Sequence, residues 1–98
     1  MHEERLFRDL RAKMIAIAEV EGVRRIAGAR LWVGALAHVS EARLRSAWPA
    51  IVEGTPAEGS RLNVELSSDL ADPRAQGIVL ASVEVPRESY LAGATGGD

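Results

Sequence analysis

The sequence contains no cysteine, and this absence excludes several kinds of chemistry. Disulfide bonds, thiolate metal sites, iron–sulfur ligation and cysteine nucleophiles all need that residue type. Any transition-metal site in this chain must therefore be built from histidine, carboxylate, terminal-amine or backbone groups. The two histidines are His2 and His38.

The chain also lacks a basic excess and long apolar runs. Its formal net charge is −2, whereas domains dedicated to nucleic acid usually carry excess positive charge that displaces counterions from phosphate. No apolar stretch approaches the roughly 20 residues of a membrane-spanning helix, and Glu3 and Glu4 stand where a signal peptide would be basic. We expect a cytoplasmic protein whose partners include neither nucleic acid nor a membrane.

The first part of the chain has the spacing of an amphipathic α-helix. Over residues 3–21, apolar side chains recur at helical intervals, at Leu6, Leu10, Met14 and Ile17. Gly22 follows where a C-terminal cap belongs. A strand is predicted over residues 25–33, because Ala29, Leu31 and Val33 alternate with other residue types.

A second helix is predicted from Ser40, a plausible N-cap, to Gly54. Pro49 lies inside it and predicts a kink or a shortened helix, because proline lacks the amide hydrogen. Residues 61–66 alternate as a second strand, and residues 78–85 read as a third, apolar on both faces and so expected at the centre of the sheet.

These elements predict an α/β (α+β) two-layer sandwich with the order α-β-α-β-β. A right-handed crossover places the first two strands parallel, the third is antiparallel, and both helices cover one face of a small mixed three-stranded sheet. We expect one domain over residues 1–85, with a loop at 67–77, and a flexible tail at 86–98.

The other face of the sheet is expected to be open. Trp32 would lie there, either with Val79 and Ala81 or with Ile78 and Leu80. An apolar patch of this kind predicts a partner or homodimer surface near Trp32. The alternative is that the C-terminal tail folds over it.

Four strings in sequence order carry a family resemblance. They are "MHE", "LWVGALAHVSEARLRSAW", "GTPAEGSRLNVEL" and "SVEV", and together they extend over residues 1–85. In order and spacing they resemble the HypA-type hydrogenase nickel-incorporation metallochaperones. The resemblance implies that Ni(II) binds at the N-terminus, through the amine of Met1, the imidazole of His2 and the backbone amides of His2 and Glu3.

The resemblance also implies features that this chain departs from. The family carries a zinc module with two CxxC pairs between the last two strands, where this chain has eleven residues, 67–77, and no cysteine. We therefore expect no zinc. Some members place an acidic residue where Ser40 stands, so an outer nickel ligand would come here from Glu41 or from His38.

The residues themselves are suited to such a site. Ni(II) in a strong nitrogen field favours a square plane, which an amine, two amides and an imidazole can fill from consecutive residues, although copper binds such sets as tightly. The first amides of a helix lack intrahelical partners, and Glu3 and Glu4 offset the positive helix end. Without the resemblance, "MHE" reads as a solvated chain start.

Two hypotheses follow, neither of them enzymatic. The first is a nickel-binding accessory protein that passes Ni(II) to a hydrogenase large subunit or to a maturation GTPase. The second is a metal-free adaptor that kept the fold and acts by protein–protein contact. Binding that depends on His2 separates the first from the second.

Overall fold

The computed structural model describes residues 2–90, with only the backbone described for His2. The element order agrees with the predicted α-β-α-β-β arrangement. The elements are α1 (His2–Glu21), β1 (Gly28–Val33), α2 (Glu41–Val52), β2 (Arg61–Leu66), β3 (Ile78–Glu84) and a short 3₁₀ helix (Arg87–Ser89). No helix in this part of the chain is both long enough and apolar enough to span a membrane.

Helix α1 is held by one apolar stripe and by its C-terminal cap. Leu10, Met14 and Ala18 are buried in the core, as helical spacing requires of side chains on one face. Gly22 has a φ of 67°, and the amides of Gly22 and Val23 donate to the carbonyls of Glu19 and Ala18. This pair of bonds is the Schellman arrangement that the glycine predicted.

Helix α2 begins at the predicted cap. The Ser40 hydroxyl accepts a hydrogen bond of 3.0 Å from the amide of Arg43, which satisfies one of the donors left over at a helix start. The helix continues through Pro49 to Val52. Of the kink or shortening predicted at Pro49, the shortening is therefore wrong, because the buried side chains of Trp48, Ile51 and Val52 hold the last turn against the core. The kink stays a prediction.

The sheet has the order β2-β1-β3. Strands β1 and β2 are parallel, and β1 and β3 are antiparallel, as predicted. The predicted central position of the third strand is wrong, because β1 lies in the middle. One face of β3 packs on the core through Ile78, Leu80 and Val83, while the opposite face holds Val79 together with the polar Ser82 and Glu84.

Both helices cover the same face of the sheet. Ala29, Leu31 and Val33 of β1 are buried beneath them, while Arg30 between them is exposed. Helix α1 contacts β3, α2 contacts β2, and the helices contact one another. The core is therefore a single layer of aliphatic side chains between the helices and the sheet, with Trp48 donating to the hydroxyl of Ser60 at its margin.

Replacing Leu31 by alanine tests how strongly this core holds the domain. Leu31 is fully buried at the centre of β1, so Leu31→Ala should lower the free energy of unfolding by about 2–5 kcal/mol through lost burial and a cavity. The matched control is Leu66→Ala at a residue that is 57% exposed, expected to change stability by less than about 0.5 kcal/mol. Urea denaturation followed by circular dichroism measures both, and equal losses would contradict this description of the core.

The strand register shows which residues share the open face of the sheet with Trp32. Trp32 is paired with Val79 across the β1–β3 ladder, so these two share the open face, and Ile78 and Leu80 lie against the helices. Trp32 is half-buried, and the guanidinium carbon of Arg74 lies 4.8 Å from its ring centroid. The homodimer surface near Trp32 stays a prediction.

The segment after β3 is packed over its first residues. The carbonyl of Ser89 accepts a 2.8 Å hydrogen bond from the amide of Arg24, and Tyr90 forms an antiparallel bridge with Val23. Ser89 is buried. Residues 86–90 of the segment predicted to be a flexible tail thus pack beside the end of α1, and residues 91–98 lie outside the described residues.

Candidate metal centre

Helices α1 and α2 run parallel, so their N-termini lie at the same end of the domain. Near the start, a guanidinium nitrogen of Arg43 lies 2.9 Å from Oε1 of Glu3. About two turns further on, Arg11 donates to the carbonyls of Ile51 and Glu53 at 3.0 and 2.7 Å. The offset between the paired residues is about forty positions at both contacts, so the two helices advance in the same direction. The first turn of α1 therefore lies beside the first turn of α2.

This end of the domain is also the carboxyl end of β1 and β2. The chain leaves β1 at Val33 and reaches the α2 cap at Ser40 through a connection that contains His38. A shallow groove lies at this edge, lined by Val33, Gly34, Ala35, His38, Val39, Ser40, Leu66 and Ser67. Ligand sites in α/β folds commonly occupy this position beyond the carboxyl ends of parallel strands.

The predicted ligands fall partly outside the described residues. Met1 and the side chain of His2 belong there, so their proposed roles rest on the sequence. Glu3 lies in the first turn of α1, where a backbone amide has no carbonyl four residues earlier to bond. His38 is exposed and has a φ of 59°, in the left-handed region. Within residues 3–90, no three histidine or carboxylate residues cluster as a metal site.

The carboxylates near the centre are engaged in ion pairs. Glu3 binds Arg43, and Glu41 binds Arg45 with an N–O distance of 2.8 Å. Each pair is partly exposed and contributes little to stability. These pairs reduce the number of carboxylates that are available to a metal. Glu41 would have to release Arg45 before it could serve as the outer ligand that the resemblance implied.

The segment 67–77, which replaces the zinc module of the family resemblance, folds beside the same edge. Asp72 accepts hydrogen bonds from the amide and the guanidinium of Arg74, with a shortest N–O distance of 2.7 Å. The hydrogen bonds from the Arg74 side chain and from its backbone amide lower the pKa of Asp72. Arg74 in turn covers the ring of Trp32, so the segment is ordered by its own contacts and by the sheet.

Two features of this end were absent from the sequence-based interpretation. The first is Arg43, which joins the starts of the two helices. The sequence shows it only as a basic residue near the start of a helix that begins with Glu41. The backbone contacts of Gly34 with the 67–77 segment are the second feature. A glycine directly after a predicted strand was the one available signal, since such positions often mark a close backbone approach.

Comparison with known proteins identifies the family. A sequence model described as "Hydrogenase/urease nickel incorporation, metallochaperone, hypA" matches residues 1–72, close to three quarters of the chain. The chain belongs to the HypA family. The Hydrogenase maturation factor HypA of Chlorobium limicola (strain DSM 245 / NBRC 103803 / 6330) is 38% identical over 65 residues, which is 66% of this chain and 56% of the relative. The match thus spans little more than half of that relative.

Membership in the HypA family supports the coarse functional predictions. The family acts in nickel incorporation, and its members are metallochaperones, not enzymes. The chain does not supply the cysteines of the zinc module that the resemblance implied.

Proposed function

We propose that this HypA-family chain binds Ni(II) at its N-terminus and passes it to a partner in the maturation of a nickel–iron hydrogenase. The ligands would be the amine of Met1, the imidazole of His2 and the backbone amides of His2 and Glu3. His38 would contribute from the neighbouring loop, as an outer ligand or as a group that orients the site. The partner would be a hydrogenase large subunit or a maturation GTPase.

The observation that carries this proposal is the shared end of the two helices. The Glu3–Arg43 ion pair shows that the first turn of α1 lies beside α2, and Leu6 and Phe7 in the following turn pack against the core. Arg43 also donates its amide to the Ser40 cap, two residues beyond His38. One residue before Glu3 is His2, so the proposed ligands extend from a turn that is fixed to the domain. A chain start without such an anchor would offer the same atoms in many conformations.

The chemistry of the donors suits Ni(II) and its release. Deprotonated amides and an amine are strong-field nitrogen donors, which favour a square plane that is open above and below. An incoming ligand from a partner can approach along those open directions, so that nickel leaves by stepwise substitution. The helix ends at this site are positive, and Glu4 in the first turn of α1 reduces the resulting repulsion of a dication, whereas the charges of Glu3 and Glu41 are balanced by Arg43 and Arg45.

A comparison of the two histidines tests the proposal. In a nickel titration of tag-free protein that begins with Met1, His2→Ala should weaken binding by at least a hundredfold, more than the roughly 10–100-fold range typical of outer-shell residues. His38→Ala is the matched control, with an expected loss of about tenfold. Calorimetry or competition with a chelator of known affinity measures both.

Equal affinities of the native chain and His2→Ala would overturn nickel binding at the N-terminus. A pull-down with purified hydrogenase large subunit and maturation GTPase tests the adaptor hypothesis. If His2→Ala protein recovers them as well as the native chain does, with chelator present in both, contact without metal explains the function. Nickel-dependent recovery that is lost in His2→Ala supports transfer.

A further inference from the structure

Two backbone hydrogen bonds join the 67–77 segment to the connection that carries His38. The amide of Gly34 donates to the carbonyl of Gly77 at 2.9 Å, and the amide of Leu36 donates to the carbonyl of Ala75 at 2.7 Å. The first of them continues the antiparallel ladder beyond the Val33–Ile78 pair. The β1–α2 connection is therefore paired with a segment that lies forty residues away in sequence.

Gly34 allows this approach because it has no side chain. A Cβ atom at this position would lie 2.2 Å from the carbonyl oxygen of Ala75 and 2.7 Å from its Cα. Both are backbone atoms that cannot rotate away, so any larger residue would push the two segments apart. Ala75 is itself 97% buried, with 3% of its surface exposed.

The fixed connection leads directly to His38. The carbonyl of Gly34 accepts a 3.1 Å hydrogen bond from the amide of Ala37, and Ala37 is fully buried. His38 follows with its positive φ, and Val39 returns to the core. The backbone of His38 is thus held between two buried residues, one of which is anchored through Gly34 to Ala75 and Gly77.

We propose that the 67–77 segment is a positioning element for the nickel centre: by packing on Gly34 and Leu36, it holds His38 beside the start of α1. This inference rests on the proposed nickel function and adds the residues that orient its second histidine. The fixing contacts need no metal, since they consist of backbone hydrogen bonds, the Asp72–Arg74 pair and the contact of Arg74 with Trp32. Gly34, Ala75 and Arg74 act through His38 and are positioning residues.

A double-mutant cycle between Gly34 and His38 tests the inference. In the native chain, His38→Ala should weaken nickel binding by about tenfold and change the visible absorption band of the nickel complex. In a Gly34→Ala background, His38→Ala should change neither, because the imidazole is no longer held near the metal. Gly77→Ala is the matched control, since its Cβ would lie at an ordinary 3.8 Å from the carbonyl of Arg74, and the effect of His38→Ala should be retained there.

The outcomes distinguish a failure of the positioning role from a failure of the proposed nickel function. If His38→Ala has the same effect on affinity and spectrum with and without Gly34→Ala, the positioning role is wrong, and it is equally wrong if His38→Ala has no effect in the native chain. Neither result touches nickel binding by the N-terminus itself, which His2→Ala tests separately. A His38→Ala change without effect in the native chain would remove only the contribution of His38 from the proposed function. Should Gly34→Ala fail to fold by circular dichroism, the exposed pair is removed instead as Asp72→Ala with Arg74→Ala, and an undiminished His38→Ala effect there overturns the proposal.

Discussion

Adding residues in front of Met1 is expected to reduce the affinity for Ni(II) by at least a hundredfold, beyond the roughly 10–100-fold losses caused by outer-shell changes. The extension converts the amine of Met1 into an amide and moves the new amine away from His2. One strong donor of the proposed square plane is then lost. Competition titrations with a chelator, on chains with and without a short glycine–serine extension, measure the difference.

The same extension placed after Asp98 is the control for this experiment. It adds equal length and composition and leaves the amine free, so nickel affinity should match that of the native chain. An N-terminally extended chain that binds nickel as tightly as the C-terminally extended one would contradict a site at the terminus. The core should be indifferent to either extension, and urea denaturation should give equal stabilities.

The secondary structure could be predicted from local patterns, because each element carries its own physical signal. The apolar stripe with Gly22 defined α1, Ser40 defined the start of α2, and alternation defined β1 and β2. The parallel pairing of β1 and β2 followed from the helical crossover that joins them. These are constraints within one element or between successive elements, and they act at short distances along the chain.

Strand order could not be predicted in the same way. The third strand was placed at the centre because it is apolar on both faces, but apolar faces report what lies above and below a strand, whereas a central position requires a hydrogen-bonded neighbour on each side. Strand β1 has both neighbours, although the exposed Arg30 interrupts its buried residues. The register shift between Arg30 and Leu31 opposite β3 is likewise invisible to a period-two pattern.

The candidate site likewise has a part that could be predicted from local sequence and a part that could not. Its donor residues were found through the family resemblance, because they are consecutive in sequence. The Glu3–Arg43 pair and the contact of Gly34 with Ala75 join residues about forty positions apart. The second of these runs through backbone atoms, so its one trace in the sequence is the glycine at position 34. What the sequence could not supply is therefore the environment that orients the ligands.

Nickel affinity is expected to rise steeply with pH between about 6.5 and 8.5, because binding displaces protons from the amine and from two amides. Each proton released changes the affinity by about tenfold per pH unit. Below the ordinary α-amino pKa of about 7.7–8.0, all three protons count, so the affinity should change by about a thousandfold per pH unit. Above it the amine is already deprotonated, and the slope should fall to about a hundredfold.

This slope distinguishes the proposed donors from the rest of the domain. The pKa of Asp72 is lowered by Arg74, so the stabilisation from this pair is present above the unfolded value of about 3.9 and is lost only as the pH falls through the lower folded value. The Asp72–Arg74 pair therefore keeps its charges throughout the titration range. Chelator competition at half-unit pH steps measures the slope, with His38→Ala expected to retain it. A slope of one proton or fewer below pH 7.5 would mean that the amides do not bind the metal, and the square-planar site would have to be abandoned.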